Sequence, residues 1–134
     1  MVEEKFLHSE ISSLILQAFY TVYNHFRFGY PNLVYQRSML IEMRKLGLEC
    51  KENQSVKLYY DAQEVGVFSA DIVVNKRVAV NIETKDNISL EDELKIYYFV
   101  RTSQLEVGLF LNFGKTPYHK RKYYPNQPDV KSSD

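Results

Sequence analysis

Residues 105–113, LEVGLFLNF, are interrupted only by Glu106, Gly108 and Asn112. So short an apolar run predicts a strand rather than a helix. Successive strand side chains point to opposite faces, so a strand apolar on both must be covered on both. The chain is thereby expected to build a sheet with its interior strands buried.

The flanking sequence supplies the covering layers. Ser9, Ser12 and Ser13 offer capping hydroxyls, and Ile11, Leu14, Ile15, Ala18, Phe19 and Val22 recur at three- and four-residue steps, which predicts a helix over 8–26. FGYPN (28–32) breaks it, and Asn32 is placed to cap a second helix over about 32–46, closed by Lys45-Leu46-Gly47. Val56, Leu58 and Tyr60 alternate within 49–60. YDAQEVG supplies a turn into FSADIVV, and Asn75-Lys76 turns the chain into RVAVNIE. Three successive antiparallel strands are predicted. Ser89 and Asp92 form a capping box for a third helix over 89–104. The order is ααβββαβ, an α/β chain, with 120–124 as a further edge strand. One domain is expected over 1–124, and 125–134, rich in Pro, Asn, Gln and Ser, reads as a flexible tail.

Composition sets limits on function. Acidic and basic residues balance at 17 each among 134 residues, so no strong overall field for nucleic acid is expected. A single cysteine, Cys50, allows no internal disulfide, and the three histidines are scattered. No apolar run reaches the roughly 18 residues of a membrane span, and the acidic start MVEEKFLHSE is not that of a signal peptide. A cytoplasmic protein without a membrane partner is expected. Eleven tyrosines and eight phenylalanines could stack on bases, although packed tyrosines with a wet hydroxyl are commoner.

Over roughly 9–113 the sequence resembles the PD-(D/E)XK nuclease superfamily, and more narrowly its small GxxExxY proteins. The likeness rests on GYPNLVY (Gly29, Asn32 and Tyr35 at the signature positions), on FSADIVVNKRVAVNI with Asp71, and on ELKIYYFVRTSQLEVGLFLNFG. The resemblance implies a restriction-endonuclease-like core, a mixed central sheet flanked by helices. It also implies carboxylates converging on Mg²⁺, which polarises a phosphate or activates water, beside a lysine that stabilises developing charge.

Aligned without gaps, the superfamily's signature Glu falls on Asn32, its Asp on Asp71, its strand Glu on Asn81, its Lys on Glu83 and its helix Gln on Lys95. Three readings stand. In the first the site is degenerate and inactive, because two carboxylates have become amides and the cation an anion. In the second Glu83-Thr84-Lys85 is a slipped E-x-K, displaced along the strand by about 6.6 Å with its face preserved. In the third Asp71 and Glu83 hold the metal and Lys95 supplies the migrated cation. A buried Asp71 calls for a partner, and Lys85 or Lys95 is the expected one.

The functional expectation is a degenerate nuclease-like module that binds nucleic acid or a protein without cutting, needing no cofactor. The alternatives are an active Mg²⁺-dependent nuclease, or a structural subunit of a larger assembly, with self-association open. Lys115, Lys120, Arg121 and Lys122 are the candidate nucleic-acid contacts.

Overall fold

In the computed structural model, which describes residues 8–125, the strand read from its apolar run lies inside the sheet: every residue of β4 (Val107–Phe113) is buried. Each fully buried Leu or Phe there contributes on the order of 1.5–3 kcal/mol. The remaining elements are α1 (Ser9–Phe26), α2 (Asn32–Lys45), β1 (Cys50–Tyr60), β2 (Gln63–Val74), β3 (Val78–Glu83), α3 (Leu90–Ser103) and β5 (Pro117–Tyr123). The five strands lie in the order β1-β2-β3-β4-β5. All neighbours are antiparallel except β3 and β4, which are parallel and connected through α3. This is the mixed α/β sheet that the sequence predicts.

The two faces are covered by different helices. α1 and α2 pack Phe19, Tyr35, Met39 and Met43 against Val78, Val80, Leu109 and Phe113. α3 lays Ile96, Phe99 and Val100 over Ala79 and Phe110. It comes so close that a Cβ on Gly108 would lie 2.8 Å from Ile96 Cγ1.

Both tight hairpins use non-glycine residues at positive φ, Asp61-Ala62 (53° and 63°) and Asn75-Lys76 (52° and 56°), as right-twisted hairpins demand. The Asn75 side chain helps by accepting from the Glu49 amide at 2.8 Å. α2 closes as expected on Gly47 at φ 83°, its amide bonded to Arg44 O at 3.0 Å. The predicted Ser89/Asp92 capping box opens α3.

Two predicted caps are not formed. The residue before α1 is His8, in the left-handed region and without a side-chain cap bond, and the serines lie inside the helix rather than at its cap position. The Ser12 hydroxyl is buried and has no hydrogen-bond partner among the described residues. Asn32 lies one position inside α2, behind Pro31 at φ −64° and ψ 156°, and does not cap the helix. A cap side chain must stand outside the first turn to reach its free amides, and Asn32 has already entered it.

Two signature positions are architectural. Gly29, at φ 113°, turns the chain between α1 and α2 where a side chain would be strained. Tyr35 is fully buried, stacks on Phe113 at 4.4 Å, and donates its hydroxyl to Arg27 O at 2.6 Å. The edge strand begins at Pro117, three residues before its predicted start. Of the predicted tail, only Pro125 lies among the described residues. No helix among those residues is long and apolar enough to cross a membrane.

Candidate functional site

β2 and β3 pair for only three rungs, from Val74↔Val78 to Ile72↔Val80. Beyond them side chains take the place of the ladder. The Asp71 amide donates to Asn81 Oδ1 at 2.9 Å, and the Ile82 amide donates to Asp71 Oδ2 at 2.7 Å. The strands part here, and a cleft of about 420 Å³ opens between them and the first turns of α2 and α3. Asn32, Gln36, Asp71, Asn81, Glu83 and Lys95 all line it.

The five positions of the ungapped resemblance therefore converge, although they come from four elements. Burial pushes the Asp71 carboxyl above its ordinary range and the charge of Glu83 adds to this, while the Ile82 amide opposes both. Asn32 bonds across to β3. Its Nδ2 donates to Ile82 O at 3.2 Å, and its Oδ1 accepts from the Thr84 hydroxyl at 2.5 Å. Ile82 thus has its N–H satisfied by Asp71 and its C=O by Asn32.

The expected lysine partner for Asp71 is not found. Among the described residues no ion pair joins Asp71 to Lys85 or Lys95; a backbone amide takes the place of the cation. Sequence could not show this, because it depends on where the two strands separate. Lys95 lines the cleft and pairs with no described residue.

Lys85 does not continue the face of Asn81 and Glu83, because β3 ends at Glu83. Its backbone N–H and C=O are clamped by the Asn112 side chain at 2.9 and 2.8 Å. Its ammonium pairs with Asp92 in the first turn of α3. That hydrogen bond, with the Ser89 amide, holds the Asp92 carboxyl down at about 2, and the same bond raises Lys85.

Gln36 and Glu52 were not anticipated. Gln36 is buried, and its Nε2 faces Glu52 Oε2 at 3.2 Å, Asn53 Oδ1 at 3.3 Å and Asp71 O at 3.3 Å. It ties α2 to both β1 and β2 beneath the cleft. Its spacing of four from Asn32, which puts both on one helix face, was the available signal.

The four basic candidates do not share one surface. β5 alternates, so Lys120 and Lys122 face the α3 side while Arg121 faces the other. Lys122 is held by Glu93 at 3.0 Å, and Tyr118 donates to the same carboxylate at 2.7 Å. Burial alone would push the Glu93 carboxyl up, but Tyr118 and Lys122 outweigh it and bring it below its ordinary range. Arg121 lies 5.9 Å from the Tyr123 ring, and Lys115 is exposed in the β4–β5 turn.

A five-stranded mixed sheet with its acid at a strand fork and helices on both faces has the architecture of a nuclease core. The chain belongs to the PD-(D/E)XK nuclease superfamily, whose family model matches residues 9–123. The crystal structure of SSO0001 is similar in fold, with a TM-score of 0.55 at 7% identity over 74% of this chain. The match spans 53% of that chain, about half its length. No curated protein matches.

Superfamily membership raises the question of a divalent ion, which takes about six oxygen ligands, mostly from carboxylates and water. Asn32 Oδ1 is bonded to Thr84, Asn81 Oδ1 to the Asp71 amide, and Asp71 Oδ2 to the Ile82 amide. Asp92 also lines the cleft, but Lys85 holds its Oδ1 and the Ser89 amide its Oδ2, so Asp71 Oδ1 and the Glu83 carboxylate are the carboxylate oxygens left to a metal. Among the described residues, no three His, Cys, Asp or Glu side chains gather as metal ligands.

Proposed function

We propose that the protein is a non-cleaving member of its superfamily, a nuclease fold of the GxxExxY type with a degenerate signature. It would act by binding a nucleic acid or protein partner and need no metal. One observation carries this reading: the amides of Asn32 and Asn81, at the positions of two expected carboxylates, are engaged in bonds within the protein. Of the three acids that line the cleft, Asp92 is taken up by Lys85 and Ser89, and Asp71 and Glu83 alone make a weak hard-cation site. A cytoplasmic setting fits the lone thiol of Cys50.

The test is incubation with single- and double-stranded DNA and RNA in Mg²⁺ or Mn²⁺. Intact substrate throughout is the expected result, and cleavage abolished by Asp71→Ala would overturn the reading. Anisotropy with the same labelled oligonucleotides then separates the partners. Salt-sensitive binding identifies nucleic acid. Its absence points to protein, for which exposed Leu58, Tyr59 and Tyr60 at the β1–β2 tip offer apolar contact.

A second reading, an active metal-dependent nuclease, is favoured by one feature. Lys95 shares the cleft with Asp71 and Glu83, where a cation could stabilise a developing anion. In that case Lys95→Ala removes activity. Lys85, paired with Asp92, is not needed for it.

A further inference from the structure

We infer that Asn32 and Asp71 stand in for the missing rungs of β2, so that the cleft keeps its shape by its own hydrogen bonds rather than around a bound cation. The inference deepens the non-cleaving reading and rests on it.

The ladder between β2 and β3 stops at Ile72↔Val80, so the outward N–H and C=O of Ile82 lose their strand partner. Ile82 is 2% exposed, and buried backbone groups left unpaired are costly. Asp71 Oδ2 accepts from the N–H, and Asn32 Nδ2 donates to the C=O. The two side chains supply one acceptor and one donor, as a neighbouring strand would. Only the amide can do the second task. A carboxylate at 32 would set an oxygen against the Ile82 carbonyl, and would need a cation between them. Thr84 completes the arrangement by donating to Asn32 Oδ1, which fixes the amide's orientation.

Asn81 is the counterpart on β3. Its Oδ1 accepts from the Asp71 amide, which the separated strands would otherwise leave unpaired. A carboxylate could accept there too, but would add a third negative charge beside Asp71 and Glu83. Charges so placed repel one another and favour the uptake of a cation or a proton. The two amides therefore differ. Asn32 is indispensable as a donor, whereas Asn81 is an acceptor whose neutrality spares the cleft a charge.

The experiment is a Mn²⁺ titration followed by electron paramagnetic resonance, with thermal unfolding in MgCl₂ and in EDTA, on the full chain. Wild type is expected to bind no Mn²⁺ below millimolar concentration and to unfold at the same temperature in both buffers. Asn32→Asp keeps size and the Thr84 acceptor but removes the donor. It is expected to lower the unfolding temperature by about 3 °C or more, and further than Asn32→Ala. Asn81→Asp is expected to tighten Mn²⁺ binding at least tenfold and to gain thermal stability on adding Mg²⁺. Micromolar Mn²⁺ binding by wild type that Asp71→Asn abolishes would overturn the inference, as would an Asn32→Asp variant as stable as wild type. An Asn81→Asp variant indifferent to metal also counts against it. Cleavage by wild type defeats the functional reading, whereas a non-cleaving wild type that binds Mn²⁺ defeats this inference alone.

Discussion

Lys85 and Asp92, seven residues apart, close an ion pair that fastens the loop after β3 to the first turn of α3. The same carboxylate takes the Ser89 amide at 3.0 Å, so a single side chain serves as helix cap and as counter-ion. The lysine that completes an apparent E-x-K motif in the sequence is thus part of the scaffold.

The pH response of that pair has a definite sign. Asp92 titrates at about 2 against an ordinary 3.8, so its folded-state pKa is depressed. Its contribution is complete above the ordinary carboxylate range and is lost as pH falls from about 4 toward 2. Chemical denaturation between pH 6 and pH 2 should show the wild-type midpoint falling in that window, and Asp92→Asn should flatten the fall. Ser89→Ala, which removes the cap hydroxyl, should cost about 1 kcal/mol at neutral pH.

Asp71 behaves in the opposite sense. Its raised pKa means that its ionised form opposes folding, and this penalty appears as pH rises through the folded-state value. Asp71→Asn keeps an acceptor for the Ile82 amide and removes the charge, so it should be at least as stable as wild type at pH 7. The difference should narrow below about pH 4, near the reference carboxylate pKa. Asp71→Ala loses the acceptor and should be less stable by about 1–3 kcal/mol. Unfolding midpoints of the three proteins at pH 7 and pH 4 check the order.

Gly114 has no room for a side chain. A Cβ there would fall 2.3 Å from Lys85 O and 2.8 Å from Asn112 Nδ2, against backbone and against the clamp itself. Gly114→Ala should destabilise by about 2–4 kcal/mol. Gly108→Ala, which meets only the Ile96 and Val100 side chains, should cost about 1–3 kcal/mol. Thermal unfolding of the two variants should rank them in that order.

The edge strand is fastened by Glu93, which holds Lys122 and Tyr118 together. Glu93→Gln should free Lys122 and lower the Tyr118 hydroxyl pKa, raised in wild type by that carboxylate. Tyrosine absorbance followed through alkaline titration reads the shift. If nucleic acid binds through β5, the same variant should bind more tightly, because it removes one negative charge from that surface.

What the sequence revealed was local. The apolar run of β4, the capping box of α3 and the glycine that closes α2 each follow from a few adjacent residues, and each stands where predicted. Several of the misjudged residues act at a distance. Asn32 resembles a helix cap by position, yet its partners Ile82 and Thr84 lie 50 and 52 residues away. Asp71 signals a need for a counter-ion, but the fork between β2 and β3 offers it an amide instead. The basic stretch near the C-terminus reads as one patch until strand alternation divides it between two faces. Gln36 carries no motif, and only the fold shows it bracing three elements.

The unequal lengths of β2 and β3 have a further consequence. From Gln63 to Ala70, β2 is paired in the sheet only with β1, and the pair extends past the last rung shared with β3. Phe68 and Ser69, on one wall of the cleft, ride on this two-stranded ribbon, while Asn81 and Glu83 opposite belong to a strand anchored on β4. Sparsely supported segments open at lower free energy than core strands. Amide protons over 56–68 should therefore exchange with deuterium well before those of 78–82 and 107–113. A ligand that spans the cleft should slow the first group and leave the second unchanged, so the ribbon itself would report occupancy.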